Sequence, residues 1–284
     1  MPFHCENPDF KVRSITDGTV FHVKRAALQG SEVFRDMFAL CEPGTGEESN
    51  ELELQDKSGE LETLLRILHD PPFPPMKLEL SPEEKLFRVT RYDPTTVIPL
   101  PLLISVFFRL ADKYMLADSV TDVLKIHLVA NAPAQALEVY SFASLHGMEW
   151  EASRASQYVL PMASYHFEEI KIIPDVVAYH KLVRLQDFRV KALRDLLLGE
   201  DIFPHGYGEC TSHREETAAG WDRQRKALVG RIESVTDVAG EMEAFTETLQ
   251  DCKVCYKACI AAVEMLSYKC NRLPKRLDQL PDVY

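Results

Sequence analysis

The stretch Phe10-Lys11-Val12-Arg13-Ser14-Ile15-Thr16-Asp17-Gly18-Thr19-Val20-Phe21-His22-Val23 decides how the chain begins. Apolar and polar residues alternate at Phe10 and Val12, with Ile15 extending that face. Asp17-Gly18 then supplies turn chemistry, and Val20, Phe21 and Val23 continue as a second strand. Past Lys24 the period changes. From Ala26 to Leu40 the apolar positions are Leu28, Val33, Phe34, Met37 and Phe38, which is helical spacing. Leu52 and Leu54 alternate again as a third strand, and Leu61, Leu64, Leu65 and Leu68 form a helical stripe that stops before Pro71-Pro72. A hairpin, a helix, a short strand and a helix predict an α+β domain.

Eight of the 17 prolines lie between Pro71 and Pro101. Proline lacks the amide a helix needs and pushes its predecessor toward extended backbone, so residues 71–101 read as an irregular insertion. Beyond it the pattern predicts helices over 102–116 and 120–129, with Asp118 or Ser119 as the second N-cap. From Pro133, placed in the first turn of a helix, only helical patterns remain. They cover 150–160, 162–172 and 174–198, followed by a loop at 203–208 and a final all-α region. Three parts result: 7–130 with the insertion, a helical extension at 133–200, and a C-terminal helical region at 203–284.

Within the first part several segments resemble the BTB/POZ family. Asp9-Phe10-Lys11-Val12 is similar to that family's opening strand, and Phe21 to Leu28 to its second strand and first helix. Ser31-Glu32-Val33-Phe34-Arg35-Asp36-Met37-Phe38 is similar to its Ser-x-x-Phe-x-x-Met-Phe helix. Leu110-Ala111-Asp112-Lys113-Tyr114-Met115-Leu116 is similar to its late Ala-Asp-Lys-Tyr helix. Lys24 stands where the family commonly has His, and the Pro-rich link is longer than usual. The resemblance implies protein–protein interaction: a homodimer through the BTB-like domain and, in some members, a substrate adaptor docking to a cullin-type ubiquitin ligase scaffold. The helices of 133–200 resemble the extension that often follows such domains.

Charge narrows the classes further. Lys plus Arg number 32 against 44 Asp plus Glu, a net −12. Eleven bases and ten acids between His213 and Arg276 leave the tail close to neutral. Nucleic-acid affinity needs a basic footprint, so a transcription-associated role would run through protein partners. Eight acids between Cys41 and Glu62 read as a solvated surface. Residues 1–9 have no basic n-region or apolar run, and the seven Cys favour reduced thiols, so the expectation is an intracellular protein, cytoplasmic or nuclear. The apolar run Val97 to Phe108, interrupted by Pro99 and Pro101, is too short for a bilayer, and no membrane segment is expected.

Five of the seven Cys follow residue 209. Cys210-x-x-His213 and Cys252-x-x-Cys255 are two dyads of metal-ligand spacing, and together they complete a closed tetrahedral set for structural zinc. Cys259 is a rival fourth ligand. The opposing reading is a stripe through Leu228, Ile232, Val235, Val238, Met242, Phe245, Leu249, Cys252, Tyr256, Cys259, Val263 and Leu266, on which Cys behaves as a small hydrophobe. Gly220, Gly230 and Gly240 predict that this region is two or three helices. No Gly-x-Ser-x-Gly, P-loop, Gly-x-Gly-x-x-Gly or His-Glu-x-x-His motif occurs, and the remaining His are scattered singly. The expectation is an interaction module without catalytic residues. A metal-dependent enzyme built on the late Cys/His group ranks last, for want of a general base.

Overall fold

The computed structural model describes residues 3–40, 51–79, 90–204 and 208–281. Cys41, the acids at 42–48 and the loop positions 205–207 lie outside them. The chain is α+β and divides into two compact units, Met1–Gln135 and Ala136–Tyr284. The segments read as 133–200 and 203–284 thus fall almost wholly within one unit.

In the first unit β1 (Phe10–Ser14) pairs antiparallel with β2 (Val20–Val23), Val12 facing Phe21. Gly18 turns between them at φ +73°, a conformation that costs other residues a Cβ clash. Phe10 and Val12 are buried as the alternation predicts, but Ser14 replaces Ile15 on that face, leaving Ile15 51% exposed. The pleat allows residues two apart on one side, and Ile15 is out of step. The expected single helix at 26–40 is two, α1 (Arg25–Leu28) and α2 (Glu32–Leu40). Ser31 breaks it by bridging to Leu116. Then β3 (Glu51–Leu54) joins β1 in parallel, giving the mixed order β2-β1-β3.

Helix α3 (Ser58–His69) buries Leu61, Leu64, Leu65 and Leu68 and packs against α1. Its first amide, Ser58 N–H, donates to Asp17 Oδ2 at 2.9 Å, so the hairpin turn also caps a helix. A short turn at Leu100–Leu102 and a π-helical stretch, Leu103–Phe108, lead into α4 (Arg109–Lys113). Helix α5 spans Asp118–Asn131, and its N-cap is Ala117 rather than Asp118 or Ser119. The Ala117 amide is spent on the Gly30 carbonyl, which fixes the helix start one residue early. Pro133 lies in the turn after α5, not in a new helix, because the Ala134 and Gln135 amides close onto Asn131 O.

The apolar helical segment runs longer than Val97 to Phe108. From Pro94 to Lys113 it reaches 20 residues, long and apolar enough to cross a membrane by length and composition. Its Leu100, Leu103, Phe108, Leu110 and Ala111 are buried in the core of the first unit.

Among the described residues the regular structure of the second unit is helical: α6 (Ala136–Leu145), α7 (Glu149–Ser156), α8 (Phe167–Ile170), α9 (Val176–Gly199), α10 (Arg214–Val229), α11 (Val238–Glu243) and α12 (Lys253–Arg272), with short 3-10 turns between. One apolar cluster joins Leu193 and Leu197 of α9 to Trp221 and Leu228 of α10, Met242 of α11, and Cys259, Val263 and Leu266 of α12. Trp221 Nε1 donates to Glu200 O at 2.9 Å, and Arg225 Nη1 donates to Leu198 O and Glu200 O. These bonds satisfy carbonyls that the end of α9 leaves open.

Candidate metal centre

Two helix starts build the site. His213 is the N-cap of α10, and Cys210 lies three residues earlier, where its carbonyl accepts from Arg214 N–H. Cys252 is the N-cap of α12, and Cys255 sits in that helix's first turn. The predicted stripe therefore breaks at Cys252, because the helix begins after it. Extended backbone at Cys252 (φ −123°, ψ 100°) takes its side chain out of helical register. Each x-x spacing places two donors around the opening turn of one helix, and the two helix starts meet.

The four ligand atoms of Cys210, His213, Cys252 and Cys255 all lie within 4.8 Å of one another. Cys210 Sγ and Cys252 Sγ are 3.7 Å apart, and Cys210 Sγ and His213 Nδ1 are 3.5 Å apart. A tetrahedral zinc with ordinary bond lengths demands edges of about 3.8 Å between sulfurs and about 3.6 Å between sulfur and nitrogen. The cluster could hold a metal ion, and its donor set, three thiols and an imidazole, is one that zinc favours.

Electrostatics favour thiolates at the two Cys that open the dyads. The Cys255 backbone N–H, then His213, lower Cys252 to about 6. The Ser212 and His213 backbone amides lower Cys210. Hydrogen bonding to Cys252 and Cys210 raises His213. Helix N-termini add positive potential in the same place. Cys255 differs: burial raises it, although Thr217 Oγ1 donates to its sulfur at 3.3 Å. A metal would have to displace that thiol proton.

Cys259 is not part of the group. It is fully buried in the apolar cluster, and desolvation pushes it up to about 11. The stripe reading holds for this thiol, and the four residues that could hold a metal ion lie beside it. Cys5 and Cys270 also stand apart, and no disulfide forms among the described residues.

The single His residues serve structure where the packing is clear. His127 is buried, accepts from Ile98 N–H on Nδ1 and donates from Nε2 to Phe73 O. It thereby ties down both flanks of the Pro-rich insertion, a role its isolated place in sequence did not reveal. The acids of the 41–62 stretch are less solvated than their composition suggests. Glu51 pairs with Arg13, Glu60 with Arg109 and Glu62 with Arg66, and Asp56 is buried.

Compared with known proteins, the chain matches no family model, no curated protein and no solved structure.

Proposed function

We propose that the chain is a non-catalytic protein–protein interaction module, a BTB/POZ-like domain joined to a helical unit stapled by structural zinc. The observation that carries the first half is the convergence of the four motif segments. Asp9 Oδ1 accepts from Arg25 N–H at 2.7 Å and caps α1. Ser31 Oγ donates to Tyr114 O at 2.5 Å and accepts from Phe34 N–H, capping α2. Tyr114, from the Ala-Asp-Lys-Tyr segment, packs its ring against Phe34 at 5.3 Å between centroids. Residues that carry the resemblance are thus among those that hold the unit's elements to each other.

Such a module acts by burying apolar surface against a partner. Val33, Leu40, Leu102 and Met115 leave exposed apolar area on this unit. The occupant on this reading is a second copy, and a cullin-type scaffold is the further partner. The second half rests on the four protein donors around one point. They close a tetrahedral shell, whereas a catalytic zinc needs an open position and a base. A site of reduced thiols also suits an intracellular compartment.

Light scattering on the full chain tests the interaction reading. The expected mass is twice 32.3 kDa, and a strict monomer at high concentration removes the homodimer. Capture on an immobilised cullin scaffold tests the adaptor role separately. Elemental analysis tests the staple, with one zinc per chain expected.

A further inference from the structure

The second unit contains a cavity of about 220 Å³ whose lining excludes the four metal-centre residues. Its polar walls come from Ser156, Gln157, Gln186, Arg189, Ser234 and Lys275, and no acidic side chain lines it. Arg189 donates from Nε to Ser234 O at 2.6 Å and from Nη1 to Pro274 O at 3.1 Å. Lys275 Nζ donates to Asn271 Oδ1 at 2.8 Å. All three acceptors are neutral, and among the described residues neither cation is ion-paired.

Two partly buried cations beside one another are costly without a counter-charge. Burial lowers the pKa of both, and Arg189 lowers that of Lys275 further. The other titratable groups they feel do not settle the charge. Cys270 is pushed by burial to about 11, so its thiol is neutral. Asp237 acts on Lys275 at a distance, while its Oδ1 accepts from Gly240 N–H.

A third observation concerns a residue of the same wall. The Ser234 hydroxyl belongs to a residue only 7% exposed and has no hydrogen-bond partner. Buried hydroxyls are ordinarily satisfied, at a cost otherwise of about 1–3 kcal/mol in folded proteins. Other wall groups are already spent. Gln186 Oε1 accepts from Met162 N–H and its Nε2 donates to Leu160 O, while Ser156 Oγ donates to Ser153 O. The remaining donors are Arg189 Nη2, Lys275 Nζ and Ser234 Oγ.

We propose that this cavity binds a small phosphate-class dianion, held by Arg189 and Lys275 with Ser234 donating. Two positive charges match a dianion, and a flat guanidinium edge, a point-charge ammonium and a hydroxyl suit an oxyanion with several acceptor oxygens. A carboxylate would balance one cation and leave the other. The source is inorganic phosphate or the phosphate head of a small metabolite, since both present the same oxygens.

Calorimetric titration of the 284-residue chain at fixed ionic strength tests this, with inorganic phosphate, glycerol 3-phosphate and acetate as probes. Saturable binding of phosphate at one per chain is expected, with acetate far weaker. Tighter glycerol 3-phosphate assigns the metabolite source, and tighter inorganic phosphate assigns the free ion. Lys275→Gln should weaken binding roughly tenfold or more, the value of one charge-assisted hydrogen bond. Ser234→Ala removes a single oxygen and should weaken it several-fold, which keeps a readout if Lys275→Gln does not fold. Zinc content is measured before and after. No saturable phosphate binding, acetate binding as tight as phosphate, or unchanged affinity in the folded variants would each overturn the proposal.

Discussion

The Tyr114 hydroxyl donates a hydrogen bond to the Asp56 carboxylate across 58 positions of sequence. Lys113 Nζ reaches the other oxygen of the same group at 2.5 Å. Burial opposes ionisation of Asp56, but these two partners outweigh it and hold its pKa below the usual carboxylate range. Burial, then Asp56, raises Tyr114. Tyr114→Phe keeps the ring against Phe34 and removes only this bond. It should cost about 1–3 kcal/mol, because the buried carboxylate loses a donor. Urea unfolding of the full chain measures it, and an unchanged midpoint would remove the network from the unit's stability.

His127 makes the first unit sensitive to acid. Burial lowers its folded pKa below 6.5, and Nδ1 must stay unprotonated to accept from Ile98 N–H. The unfolded chain therefore binds the proton first. Stability from this group is full above pH 6.5 and is lost as pH falls from there through the folded pKa. The urea midpoint should drop between pH 7 and 5, and the drop should shrink in His127→Gln. A slope identical in both proteins would assign the acid sensitivity elsewhere.

Two neighbouring thiols on α12 should behave oppositely. Cys255→Ser is expected to strip zinc from the purified chain, since one of four donors is lost. Cys259→Ala should retain it and cost about 1–2 kcal/mol as a small core cavity. Zinc analysis and thermal melts of both variants decide. Loss of zinc in Cys259→Ala alone would reverse the assignment of the fourth ligand.

Glycine to alanine changes on α10 should differ in sign. A Cβ at Gly220 would come within 2.7 Å of Phe245 Cζ, whereas one at Gly230 meets open space. Inside an exposed helix the replacement gains about 1 kcal/mol. At Gly220 overpacking should turn it into a loss of about 1–3 kcal/mol. At Gly230, the C-cap with φ −67°, it should be neutral or slightly stabilising. Melting temperatures of the two variants test the contrast.

Local periodicity was legible where a single face dominated. The hairpin, the two strands that sandwich α2 in sequence, and the Leu stripe of α3 all follow from spacing. So did the metal dyads, because ligand spacing is a property of one turn. Long-range pairing was not legible. The break at Ser31 depends on Leu116, and the true N-cap of α5 depends on Gly30. The rivalry of Cys255 and Cys259 depended on where α12 starts, and the stripe carried no mark of that. Gly220 looked like a helix interruption and proved to be a seat for Phe245.

Holding an ion, the dyads would also act on the unfolded chain. Cys210 and Cys252 lie 42 positions apart, so an ion gripped by both closes a loop of that size. An ion that stayed on both dyads in the unfolded chain would, like a disulfide, remove about 4 kcal/mol of its loop-closure entropy. Unlike a disulfide, the cross-link is released when the ion leaves. Were zinc held by the folded site and released on unfolding, the margin by which this unit stays folded would instead rise with the logarithm of the free zinc concentration.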